Sequence, residues 1–191
     1  MSTPARELQL SMEEYLEIEE KSAVRHEYVS GRMFAMVGAT EAHDAIVNNL
    51  NFRIRSQIQG SECRIFSSSM KVLIEATGNF YYPDLMVSCE PYSPKSVFKR
   101  APCLIVEVLS PSTKSTDQRE KLQAYQTIDS LSEYAIVFQD ERRIELYKRA
   151  GRSWIPTIYE AAETVLLNPA PNLQIVLPLD EVYEGVLDFL A

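Results

Sequence analysis

The segment Cys103-Leu104-Ile105-Val106-Glu107-Val108-Leu109 is a nearly continuous apolar run of strand length. A run of this kind suits a β-strand covered on both faces, because a strand with one wet face alternates apolar and polar residues. The chain must therefore build layers around a sheet, with this strand near its middle. A length of 191 residues suffices for one sizeable core and is short for two ordinary domains with a linker, so one domain over residues 1–191 is expected. Hydrophobic residues at 46% and charged residues at 24% set aside the disordered and fibrous classes.

The pattern on either side of that strand alternates between helix and strand periods. Ser11 and Glu14 form a capping box ahead of an apolar stripe of Met12, Tyr15, Leu16 and Ile18, which predicts a short outer helix over Ser11–Lys21. Arg25–Val29 and Arg32–Val37 flank Ser30-Gly31 and read as a β-hairpin. Ala42, Ala45, Ile46, Leu50, Ile54 and Ile58 predict a core helix from about Glu41 to Gln59, stopped by Gly60. Strands are predicted at Cys63–Phe66, Met70–Glu75 and Tyr82–Val87, the last two separated by a Gly78-Asn79 turn. A loop over Cys89–Pro102 precedes the central strand. A helix from Asp117 to Ile128, a strand at Glu133–Gln139, further strands at Ile144–Lys148, Trp154–Tyr159 and Leu173–Val176, and a closing helical turn near Val182–Leu190 complete the order. The expectation is a mixed α/β sandwich, which alone names no function.

Residue inventory narrows the chemistry. Cys63, Cys89 and Cys103 are widely spaced and form no C-x-x-C, so neither a disulfide framework nor a zinc knuckle is expected, and all three read as small buried apolar residues. With His26 and His43 the only histidines, a metal here takes oxygen ligands, which points to magnesium or manganese. No apolar run is long enough to span a bilayer and the first residues lack a signal-peptide stretch, so no membrane association and a cytoplasmic location are expected. The net charge of -8 opposes broad attraction to a polyanion. Its distribution is uneven: residues 1–50 carry nine acids against four Lys or Arg, whereas residues 95–121 carry six Lys or Arg against three acids. A polyanion would meet the middle of the chain.

Glu107 is the anomaly of the central strand, since a carboxylate there is costly to bury unless it is paired or coordinates a cation. Alternation places it with Cys103, Ile105 and Leu109 on one face, near the C-terminal end of the strand, where sites of open α/β sheets tend to lie. Asp84 follows Pro83, which has no N–H for a sheet, and heads the apolar run Leu85-Met86-Val87, so it stands at a strand start or bulge. If the two strands are neighbours, Asp84 and Glu107 converge on one hard cation. Asp117, Lys121, Ala124, Tyr125 and Ile128 share a helix face that turns inward, which lets Lys121 reach the strand end and stabilise a charged phosphate.

These residues carry a resemblance. Tyr82-Pro83-Asp84, then Leu104 to Thr113 through Glu107 and Ser110, then Asp117, Lys121 and Tyr125, then Glu133-Tyr134, together resemble the Uma-type family of inferred endonucleases, a cyanobacteria-rich former domain of unknown function within the PD-(D/E)XK nuclease superfamily. The similarity runs from Tyr15 to the C-terminal strands. It implies a restriction-endonuclease-like core with a central mixed β-sheet flanked by helices, here with an added N-terminal helix and hairpin and extra C-terminal strands. It also implies metal binding by Asp84, Glu107 and the backbone carbonyl of Val108. One departure stands out: the superfamily lysine two positions after the glutamate is Leu109, so Lys121 is the expected substitute.

Each residue also has a plainer role: Asp84 as a turn cap, Glu107 as half of a buried ion pair, and Lys121 as a solvated helix lysine. Secondary candidates are Glu27 as a third ligand or base, His43, which resembles a recurrent family histidine, Ser110 as a phosphate donor, Asp117, more naturally an N-cap, and Tyr125, more naturally core. Lys95, Lys99 and Arg100 are candidate phosphate contacts. The reading is a magnesium- or manganese-dependent endonuclease acting on nucleic acid, with DNA the first substrate to test and a homodimer compatible with the fold. Its rivals are a nuclease-fold binding or regulatory module without turnover and a purely structural oligomerisation domain.

Overall fold

Two sheets packed against each other, rather than one, organise this protein. The computed structural model describes residues 9–109 and 117–186. In chain order the elements are α1 (Met12–Lys21), β1 (His26–Val29), β2 (Arg32–Ala35), α2 (Glu41–Ile58), β3 (Arg64–Ser67), β4 (Lys71–Ile74), β5 (Asn79–Tyr81), β6 (Leu85–Ser88) and β7 (Phe98–Lys99). Then follow β8 (Pro102–Leu109), α3 (Asp117–Gln126), β9 (Glu133–Phe138), β10 (Arg143–Ala150), β11 (Ser153–Glu160), β12 (Thr164–Ala170), β13 (Leu173–Pro178) and α4 (Leu179–Val182). The first sheet runs β2-β1-β5-β4-β7, the second β11-β10-β9-β8-β6-β3, and β12-β13 forms a separate hairpin.

Local signals act where the sequence places them. Ser11 and Glu14 cap each other's backbone at the start of α1. Ser30 and Gly31 both adopt positive φ, 52° and 83°, the twist that joins β1 to β2. Thr40 accepts the amide of His43 to open α2, and Gly60, at φ 88°, lies just beyond its end.

The central strand is β8, buried along its whole length between antiparallel β6 and parallel β9. On one face Leu104, Val106 and Val108 pack with Ile46, Leu50 and Ile54 of α2 and with the β12–β13 hairpin. On the other, Ile105 and Leu109 pack with Ala124 and Tyr125 of α3 and with Val72, Ile74 and Tyr81 of the first sheet. The second sheet is therefore mixed and covered on both faces, which is why its central strand is apolar on both sides. α3 is the crossover that parallel β8 and β9 require.

Several expectations need correction. Tyr82–Val87 is not one strand: β5 ends at Tyr81 in the first sheet, β6 begins at Leu85 in the second, and Tyr82-Pro83-Asp84 crosses between them. Pro83 lacks the amide to continue the ladder, and the Gly78 turn instead joins β4 to β5. Cys103 does not share the Glu107 face; it packs on the α2 side, because the register slips between Val87 and Ser88 where β6 meets β8. Cys63 and Cys89 are not independent apolar residues but are joined in a disulfide, since the β3–β6 register places them next to the Arg64–Ser88 pair. Cys103 is buried as a free thiol, its Sγ 3.8 Å from that of Cys89. β7 and β12 were not expected; β12 hides behind Pro169, although its Val165 and Leu167 alternate inward. The helical turn expected near Val182–Leu190 falls at Leu179–Val182; residues 183–186 form a bend and turn, and residues 187–190 lie outside the described residues.

Candidate active site

Asp84 emerges from the crossing between the two sheets, at the start of β6 and beside the C-terminal end of β8. Its Oδ2 accepts the Val108 amide at 2.7 Å, and its Oδ1 lies 3.1 Å from His43 Nε2, so both oxygens are oriented. Its own amide approaches Glu107 Oε2 at 3.4 Å. An extended residue sends its N–H and C=O to the same edge of the strand, so the Val108 carbonyl leaves β8 on the Asp84 side as well.

Glu107 is 7% exposed, and its Oε1 accepts from the Tyr125 hydroxyl at 2.7 Å. Burial pushes its carboxyl up to about 8; the Lys121 ammonium pulls it down and the Asp84 carboxylate pushes it further up. Tyr125, fully buried, has a hydroxyl held well above its ordinary value by burial and by Glu107, so it stays a donor. The hydrogen bond to Asp84 raises His43, against the opposing effect of burial.

Lys121 projects from α3 toward the same region. Its Nζ pairs with Glu27 Oε1 at 2.7 Å, both side chains largely withdrawn from water at 16% and 13% exposure, and it lies 5.8 Å from the centre of the Tyr81 ring. Glu27 Oε1 also faces the Tyr82 amide at 3.5 Å. Thus β1 supplies Glu27, the crossing supplies Asp84, β8 supplies Glu107, α2 supplies His43 and α3 supplies Lys121 and Tyr125. Six residues that the sequence singled out come together.

Others do not join them. Ser110 and the Asp117 side chain lie outside the described residues; Asp117 itself opens α3. Of the three basic candidates Lys99 is buried with its ammonium 5.0 Å from the Phe66 ring centre, Arg100 is exposed and pairs with Glu75 at 2.7 Å, and Lys95 is exposed. A surface depression lined by Glu62, Arg64, Cys89, Glu90, Pro91 and Tyr92 sits at the end of β6 opposite Asp84. Sequence reasoning overlooked Glu19 and Lys71, buried beside Tyr82. The signal was present in Glu19 standing one turn after Tyr15 on the inward face of α1, and in Lys71 inside the apolar run of β4.

Among the described residues no three His, Cys, Asp or Glu side chains converge tightly enough to hold a metal ion, and no helix is long and apolar enough to cross a membrane.

Comparison with known proteins gives consistent results. The profile of the Uma2 family, described as "Putative restriction endonuclease", matches residues 12–180. The uncharacterized protein slr1290 of Synechocystis sp. (strain ATCC 27184 / PCC 6803 / Kazusa) is 35% identical over 179 residues, covering 93% of each chain. The uncharacterized protein sll1609 of the same organism is 33% identical over 154 residues, covering 78% of this chain and 86% of its own. In three dimensions the chain resembles the crystal structure of a "putative nuclease belonging to DUF820" from Anabaena variabilis ATCC 29413, with a TM-score of 0.73, 18% identity, and coverage of 93% of this chain and 99% of that one. At that identity the structural likeness speaks to the fold.

Proposed function

The chain belongs to the Uma2 restriction-endonuclease family, and from that premise we propose that it is a divalent-metal-dependent endonuclease hydrolysing phosphodiester bonds, with DNA as substrate. One observation carries the reading. Asp84 and Glu107 meet at the C-terminal end of β8, the Asp84 amide 3.4 Å from the Glu107 carboxylate, with Glu107 buried and Asp84 partly open to solvent.

The residues fit a hard cation. Asp84 and Glu107 stand side by side and offer only oxygen donors, and burial holds Glu107 toward its neutral form, which a cation at the site would shift back to the carboxylate. Two protein carboxylates with the remaining positions left to water is the pattern magnesium tolerates best. Asp84 and Glu107 would hold the ion, with the Val108 carbonyl on the same edge. When bound, it supplies positive charge at the phosphate and makes water more acidic.

The chain's own residues do the rest. Tyr125 fixes the Glu107 carboxylate by donating to Oε1, while His43 and the Val108 amide fix Asp84. Lys121 takes the place that Leu109 cannot fill, because Leu109 packs into the core between β8 and α3. Held by Glu27, its ammonium can offset charge that builds on a phosphoryl oxygen.

The Lys121–Glu27 pairing is also the observation that favours a binding module without turnover, since an ammonium fully engaged by a carboxylate is less available to phosphate. Nicking of supercoiled plasmid in manganese separates the two. Wild-type nicking that Asp84→Ala and a chelator both abolish supports the endonuclease; binding of plasmid by wild type with no nicking at any metal concentration supports the module.

A further inference from the structure

Behind the Asp84 crossing lies a second group of buried polar side chains that the chemistry above does not use. Tyr82 is 4% exposed; its hydroxyl donates to Glu19 Oε1 at 2.7 Å and accepts from Lys71 Nζ at 3.2 Å. The Lys71 ammonium lies 5.2 Å from the Tyr82 ring centre. Glu19, its side chain 3% exposed, also accepts the His26 backbone amide at 2.9 Å on Oε1 and meets His26 Nδ1 at 3.0 Å on Oε2.

Burying a carboxylate and an ammonium is expensive, and apolar residues of similar volume would stabilise the same space at least as well. What a polar network offers over an apolar one is direction: each partner is held at one distance and one angle. Here that direction falls on two particular residues. His26 immediately precedes Glu27 in β1, and Tyr82 lies two positions before Asp84 on the crossing. One carboxylate, Glu19, therefore grips the backbone beside Glu27 and the side chain beside Asp84. The backbone amide of Tyr82 in turn faces Glu27 at 3.5 Å. Glu27 and Asp84 come from different sheets, and packing alone leaves two sheets free to slide by fractions of an ångström.

We propose that Glu19, Tyr82 and Lys71 are positioning residues that set the distance between Glu27, on the first sheet with its α3 partner Lys121, and the Asp84–Glu107 pair where the crossing meets the second sheet. The proposal rests on the reading of Asp84 and Glu107 as metal ligands. None of the three touches the reacting atoms. Their effect reaches the site through the backbone of His26 and of Tyr82-Pro83-Asp84.

The test is manganese affinity, read from the spectroscopic signal of free Mn2+ during titration of the intact protein, alongside thermal unfolding. Tyr82→Phe removes the hydroxyl that joins Glu19 to Lys71, and it should weaken manganese binding about tenfold, as loss of an outer partner of a metal site does. Tyr183→Phe is the control: Tyr183 is fully buried in the core on the α2 side, and its hydroxyl donates to the Arg143 carbonyl at 2.7 Å, away from Glu19, Tyr82 and Lys71. It should lower the unfolding temperature and leave manganese affinity within twofold of wild type, on the order of error for such measurements. If Tyr82→Phe does not fold, Glu19→Gln keeps the volume, disturbs the His26 pairing and should show the same weakening. Unchanged affinity in the folded variant, or equal weakening by Tyr183→Phe, overturns the proposal and leaves the metal site standing. Wild type that binds no manganese, or Asp84→Ala that binds it as wild type does, overturns the metal site and the proposal with it.

Discussion

Glu107 and Glu133 are both carboxylates buried in apolar strands, one near the C-terminal end of β8 and the other at the N-terminal end of its parallel neighbour β9. Burial pushes both carboxyls above their ordinary range. Their compensation differs. Glu133 has a cation of its own, Lys148 Nζ at 3.0 Å, and accepts the Asn168 amide at 2.8 Å. Glu107 has a neutral tyrosine and a distant amide, while the nearby lysine is paired 2.7 Å away with a different carboxylate. Burial of a carboxylate therefore does not mark a site. What separates the two is the cation: Glu133 holds Lys148, whereas Glu107 is drawn down by a Lys121 that also pairs with Glu27 and stands beside the Asp84 carboxylate.

The comparison is broken most directly at Glu107. Glu107→Gln keeps the shape and removes the charge, so manganese-dependent nicking should fall to the level of protein-free controls while the unfolding temperature rises, an exchange of stability for function. Retained nicking, or a fall in unfolding temperature, would place Glu107 with Glu133 among the structural carboxylates.

A smaller effect is expected from Tyr125→Phe. Losing the 2.7 Å hydrogen bond that orients Glu107 should cut the nicking rate about tenfold at subsaturating manganese, with little change in plasmid binding by gel shift. A weakened gel shift would move Tyr125 from orienting the carboxylate to contacting the nucleic acid.

Lys148→Met tests the other carboxylate and should leave nicking unchanged. Breaking a fully buried pair costs about 3–5 kcal/mol; with the Lys148 side chain 35% exposed, a loss of about 2 kcal/mol is expected in chemical denaturation. The loss should also depend on pH. A carboxyl whose folded-state value is raised contributes stability below the ordinary carboxylate range and loses it as pH rises through the folded value. Lys148 holds Glu133 down, so removing it raises that folded value further. The defect should be small below the ordinary carboxylate range and grow as pH rises above it through the raised folded value. A defect independent of pH would mean that lost packing of the Lys148 stem, not charge, is responsible.

Much of the fold was legible in sequence because its signals are local. The Ser11 capping box, the Ser30-Gly31 turn and the stripe of α2 each act within a few residues, and each lies where expected. The apolar run of β8 announced a strand covered on both faces, and it is one. Tyr82–Val87 misled because a strand that leaves one sheet and enters another keeps its apolar composition, and Pro83 alone marks the change. Lys99 looked available because a basic loop reads the same whether its charges face solvent or an aromatic ring.

The sequence by itself determined the order of the elements apart from β5, β7 and β12, the central place of β8, the lack of a multi-histidine metal site and the identity of the carboxylates worth following. Only the tertiary structure decided which of those carboxylates meet. Glu27, Asp84, Glu107 and Lys121 come from a hairpin, a crossing, a central strand and a crossover helix, and no periodicity relates them. Their convergence follows from how two sheets pack and where the register places each strand end. The same packing gave Glu133 its lysine, committed Lys121 to Glu27, and joined Cys63 to Cys89. Charge compensation is a property of distances across the fold, and distance between residues far apart in the chain is what a linear pattern does not encode.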